Sequence, residues 1–80
     1  MESKYTVKML NALINDIKEV GVTLRFFESS PKKYDIDKLI IKETGNTLIT
    51  IARELTCQQA YYYLTGIYDS LTIDAYDNEF

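Results

Sequence analysis

The segment IDKLIIKETGNTLITIAR, residues 36–53, decides the fold. Two runs rich in β-branched and aliphatic residues flank Thr44-Gly45-Asn46, the pattern of two strands joined by a tight turn. Strands are expected over about Ile36 to Glu43 and Thr47 to Arg53. A one-residue slip exchanges the two faces of a strand, so loop length determines what is buried. A two-residue loop at Gly45-Asn46 pairs Ile40 with Ile51 but sets Ile41 against Thr50 and Leu39 against Ala52, mixing both faces. A three-residue loop pairs Glu43 with Thr47, which sets Ile41 opposite Ile49, Leu39 opposite Ile51 and Asp37 opposite Arg53. That register gives one apolar face closed by an ion pair, and it is the expected one.

Upstream, Val22, Leu24 and Phe26 alternate with Thr23, Arg25 and Phe27, a further strand with one buried face. The stretch Ser29-Ser30-Pro31-Lys32-Lys33 ends it in a loop, because Pro31 lacks the donor a ladder needs. Before that strand, Val7, Leu10, Leu13, Ile14, Ile17 and Val20 recur at three- and four-residue steps, which predicts a helix over about residues 5–20. Ser3 or Thr6 is placed to cap this helix, and Gly21 to end it in a left-handed conformation. After residue 53, Thr56-Cys57-Gln58-Gln59 has the capping-box spacing, and Ala60, Leu64, Ile67, Tyr68 and Leu71 carry a second helix to about residue 71.

The expected fold class is therefore α+β, a three-stranded antiparallel meander in the order α-β-β-β-α. Both helices are expected on the Leu24/Phe26/Leu39/Ile41/Ile49/Ile51 face. Eighty residues form a single domain, 1–80, since a chain of this length removes only about 60% of its unfolded surface from water. Residues 73–80 are expected as a flexible acidic tail.

Composition narrows the chemistry. With no histidine, the commonest general base and transition-metal ligand is missing, and the single cysteine leaves no zinc set and no internal disulfide. Gly21, Gly45 and Gly66 are isolated, so no phosphate-cradling loop exists. The chain is expected to be non-catalytic and without cofactor or metal. Asp35 and Asp37 alternate on a strand without further ligands and read as solvated or paired charges. Cys57 stands in the first turn of the second helix, where the dipole lowers a thiol pKa; without a histidine or a second cysteine it reads as a half-buried structural residue. No apolar run reaches the roughly 20 residues of a membrane span, and the first residues lack an apolar secretion signal, so a soluble protein in the cytoplasm is expected.

Charge is unevenly spread. Residues 1–53 hold all nine basic residues and seven acids, a balance of +2, whereas residues 54–80 hold Glu54, Asp69, Asp74, Asp77 and Glu79 and no base, a balance of -5. The same stretch is rich in tyrosine. Three consecutive helical residues span about 200° at roughly 100° each, so Tyr61, Tyr62 and Tyr63 cannot all lie in one buried stripe. Exposed tyrosine beside carboxylates suits an interface with a basic protein partner, because the ring supplies contact area at low entropic cost and the acids steer the encounter. The expected partner-binding residues are Tyr61, Tyr62, Asp69, Asp74, Tyr76, Asp77 and Glu79. The competing explanation is that the acids solubilise a tail while the tyrosines complete a small core.

A second surface is the outward sheet face, which in the expected register shows Arg25, Phe27, Tyr34, Ile36, Lys38, Ile40, Lys42 and Leu48. Arg25, Phe27, Lys38, Ile40 and Lys42 there suit self-association as a homodimer, or stacking on single-stranded nucleic acid. Nucleic acid is not the expected partner, because the sequence pI is near 4.8 and RNA-binding motifs are missing.

The length, the acidic balance, the heavy use of Ile, Lys, Asn and Tyr, the Tyr61-Tyr62-Tyr63 run and the α-β-β-β-α order together resemble small accessory proteins of phages and mobile elements in low-GC bacteria. Some of these are anti-defence inhibitors, including anti-CRISPR proteins that occupy the DNA-binding surface of a nuclease. The resemblance is one of style over the whole chain, and no motif carries a functional residue across. It implies a protein of the host cell cytoplasm that masks a basic surface of a nucleic-acid-handling protein. Asp69, Asp74, Asp77 and Glu79 would imitate DNA phosphates, flanked by Tyr61 and Tyr62. The alternatives are a self-associating assembly protein that uses the outer sheet face, and a small single-stranded nucleic-acid-binding module.

Overall fold

A computed structural model of the chain describes residues 4–77, with side chains as far as Ile73. The order is α1 (Val7–Glu19), β1 (Leu24–Ser30), β2 (Lys33–Lys42), β3 (Gly45–Leu55) and α2 (Cys57–Asp77). The strands form one antiparallel sheet, β1-β2-β3, which is the expected α+β meander. Thr6 caps α1, its hydroxyl accepting from the Met9 amide. At the other end the Gly21 amide donates to the Lys18 carbonyl and the Val22 amide to Ile17, a Schellman turn that relies on Gly21 holding φ +103°. The capping box of α2 forms as its spacing implies: Thr56 accepts from the Gln59 amide at 3.1 Å, and Gln59 accepts from the Thr56 amide at 2.9 Å. α2 then continues to Asp77, six residues beyond its expected end. Among the described residues no helix is long and apolar enough to cross a membrane.

The hairpin register differs from the expected one. The chain reverses over Glu43-Thr44, with Lys42 opposite Gly45, Ile41 opposite Asn46, Ile40 opposite Thr47 and Leu39 opposite Leu48. Gly45 carries φ +133°, so glycine is required where the turn closes and not at its centre. The β1–β2 connection also shrinks to Pro31-Lys32, with Lys32 at φ 61° supplying the reversal. Along β3 the ladder slips twice. Asp37 pairs with Thr50 but its neighbour Ile36 pairs with Ala52, leaving Ile51 as an extra residue, and a further residue is gained before Leu55. The Asp35 carboxylate holds the second slip by accepting from the Glu54 amide and the Ser29 hydroxyl, each at 2.9 Å. Asp37 meets Arg25 at 3.7 Å and accepts from the Thr50 hydroxyl at 2.9 Å, in place of the expected Arg53.

The slips decide the core. Leu24 and Ile36 are buried with Leu10 and Ile17 of α1 and Ala60 and Leu64 of α2, so both helices do cover one face. That face is built on Leu24, Phe26 and Ile36, and the extra residue lets Ile51 and Ala52 both pack toward the helices. Leu39 and Ile41, expected inside, belong to the opposite face, and Ile41 is 76% exposed. The helices do not reach the end of the hairpin: every residue from Ile41 to Thr50 is exposed. The molecule is consequently flat and long, 45 × 34 × 16 Å.

Candidate functional site

The three tyrosines diverge as helix geometry requires. Ala60 and Leu64 anchor α2 in the core, which turns Tyr61 toward α1, leaves Tyr62 56% exposed, and lets the Tyr63 hydroxyl donate to the Ile51 carbonyl on β3 at 3.3 Å. Tyr61 and Tyr62 also meet Tyr5, just ahead of the α1 cap, with ring centroids 5.1 and 5.6 Å apart. The Tyr5 and Tyr62 hydroxyls are hydrogen-bonded at 2.7 Å. The Lys4 ammonium stands 5.5 Å from the Tyr5 ring centroid, a cation–π contact at the edge of the cluster. The Tyr5 bond and a second from Gln58 draw the Tyr62 phenol below its ordinary pKa, while the bond to Tyr62 pushes Tyr5 up. Sequence reasoning missed Tyr5. Its signal was its place before the Thr6 cap, where a side chain leaves the helix start and reaches a neighbouring element.

Beside this cluster lies a shallow groove of about 210 Å³ lined by Met9, Ala12, Leu13, Asp16 and Tyr61. Along α2 from Tyr62, the residues Gly66, Asp69 and Ile73 follow at steps of four, three and four, and all four positions are exposed. Steps of that pattern keep side chains on one side of a helix. Of the expected partner-binding residues, Tyr62 and Asp69 therefore share one stripe, with Tyr61 turned inward beside it. The side chains of Asp74, Tyr76 and Asp77, and the whole of Glu79, lie outside the described residues. α2 itself contributes no cation to the stripe, and Lys4 stands near its Tyr62 end.

The second expected surface is divided between the two faces of the sheet. Arg25 and Phe27 pair with Asp37 and Asp35 and project away from the helices, together with Leu39 and Leu48. Lys38 pairs with buried Leu24, so Lys38, Ile40 and Lys42 belong to the helix side, on the part of the hairpin that the helices leave uncovered. Ile36, expected outside, is fully buried. The outward face thus sets two carboxylates beside Arg25 and Phe27, which is unfavourable for a phosphate backbone.

Cys57 packs half-buried against the core, and burial pushes its thiol up, opposite to the direction a helix N-terminus would give. Among the described residues no three His, Cys, Asp or Glu side chains come together to hold a metal ion. Compared with protein-family models, curated proteins and solved structures, the chain matches none.

Proposed function

We propose that the chain is a small non-catalytic binding protein that docks through the exposed Tyr62–Gly66–Asp69 stripe of α2 onto a basic surface of another protein. The observation that carries this reading is Gly66. A glycine inside a helix costs about 1 kcal/mol relative to alanine. Nothing among the described residues requires it, because a Cβ there would meet none of their atoms within 4 Å. Its two stripe neighbours are an exposed tyrosine and an exposed carboxylate. A bare helix surface between an aromatic anchor and a charge suits close approach by a partner, with Tyr62 as the contact residue and Asp69 as the steering charge. The resemblance to phage and mobile-element accessory proteins points to the kind of partner. It is a nucleic-acid-handling protein of the host, in the host cytoplasm, whose basic cleft is masked from DNA.

The reading is tested by pull-down from lysate of a low-GC bacterial host with three proteins: the wild type, Gly66→Gln and Tyr62→Ala/Asp69→Asn. The wild type is expected to recover a nucleic-acid-binding protein that added double-stranded DNA competes away, less well as salt rises and the Debye length falls below about 10 Å. Gly66→Gln is expected to lose that partner while melting at a higher temperature than wild type, which separates lost docking from lost folding. Recovery of the same partner by all three proteins, or indifference of the complex to DNA, overturns the proposal.

A further inference from the structure

The outer edge of β3 is unprotected. Among the described residues no strand pairs with it, since β3 is the last strand of the sheet. Exposed edges in native sheets are usually blunted by charge, proline or bulges. The two slips serve that purpose beyond Thr50, but Gly45–Thr50 is regular, exposed along its length and free of both charge and proline. Leu48 and Ile49 stand there 43% and 41% exposed, one on each face of the sheet.

The exposed surface of the chain is also too large for its mass. It amounts to 6027 Å², whereas a compact 9.3 kDa monomer exposes about 5,000 Å². The radius of gyration is 13.8 Å against about 11.6 Å for 80 residues. A molecule this flat leaves more surface in solvent than a compact body of the same mass.

We propose that Gly45–Thr50 pairs antiparallel with the same segment of a second copy, joining two meanders into one six-stranded sheet. A two-fold axis makes a bare strand edge complementary to itself, and an uncharged segment meets no like-charge repulsion there. With the axis at Leu48, Leu48 faces its own copy, and Leu39, its partner across the hairpin, extends the contact into a row of four leucines over the outward face. The same register sets Asn46 of one copy opposite Thr50 of the other, an uncharged polar pair at each end of the regular segment. This dimer uses the sheet edge and leaves the α2 stripe open, so it stands or falls apart from the docking proposal.

The test is the mass of the full chain by sedimentation equilibrium, with far-UV circular dichroism as the check on folding. The wild type is expected at twice 9.3 kDa. Leu48→Lys places two ammonium groups across the axis and should weaken the dimer at least about hundredfold, with an unchanged circular dichroism spectrum. Phe27→Lys, on the outward face away from the edge, should remain dimeric. A Leu48→Cys variant in a Cys57→Ser background should form an intermolecular disulfide under mild oxidation, whatever Leu48→Lys does to folding. A wild type that sediments at 9.3 kDa, a folded Leu48→Lys protein that stays dimeric, or a failed cross-link overturns the proposal. So does dissociation by Phe27→Lys alone, which would mean that the sheets stack face to face.

Discussion

Among the described residues, two hold left-handed backbone that their side chains do not favour. Lys32, at φ 61°, follows Pro31 in the two-residue β1–β2 connection, and Glu54, at φ 53°, sits in the second slip of β3. A residue with a Cβ in this region costs about 1–2 kcal/mol, and asparagine tolerates it better than lysine. Lys32→Asn is expected to stabilise the chain by about 0.5 kcal/mol, read from the midpoint of urea unfolding. At Glu54 the strain is offset by the hydrogen bond that its backbone amide donates to the Asp35 carboxylate. Asp35→Ala removes the acceptor for that amide and for Ser29, and should cost about 1–3 kcal/mol through the loss of two hydrogen bonds to a carboxylate. Asp35→Asn keeps a carbonyl oxygen in place and should cost much less. A similar loss in both variants would mean that charge, and not acceptance, matters at this site.

Among the elements, α2 has the most room for improvement. Gly66 is in its interior without left-handed backbone, and the space over it is empty. Gly66→Ala should therefore add about 0.5–1 kcal/mol, a rise of roughly 4–8 °C per kcal/mol in a thermal melt. The opposite sign is expected at Gly45, where φ +133° strains any other residue although the space is equally open. Gly45→Ala should lose about 1 kcal/mol or more, and comparison of the two variants separates helix propensity from turn strain. These elements were largely legible beforehand. The α1 and α2 caps, the stop at Gly21 and the three strands rest on neighbours within a few residues. The overrun of α2 past residue 71 was not legible, since no breaker follows there and only acids suggested an end.

For the whole molecule, stability rests on a small core, with six buried apolar side chains among the described residues. A domain of 80 residues is stable by roughly 4–12 kcal/mol. Ile36→Ala, at the junction of both helices with the sheet, should cost about 2–5 kcal/mol, a large share of that stability, read as a lower midpoint of urea unfolding. If two copies pair through β3, the melting temperature should rise with protein concentration, because association draws on the folded state alone. A melting temperature independent of concentration would argue for a monomer.

Local sequence determined the helices, their caps, the number and order of the strands, and the divergence of the three tyrosines, because each depends on spacing along a single element. The face of the sheet that the helices cover was decided by tertiary structure alone. Between Ile36 and Lys42 both alternating sets carry aliphatic residues, Ile36 and Ile40 in one and Leu39 and Ile41 in the other, so period two by itself favours neither. The choice came from Gly45 closing the turn, and from Ile51 being accommodated as an extra residue, which together let Ile36 meet Leu10, Ile17 and Leu64. The same choice sent Ile41 and Leu48 to the outward face and so into solvent, while Ile49, on the helix side, is exposed because the two helices cover only the near half of a long hairpin.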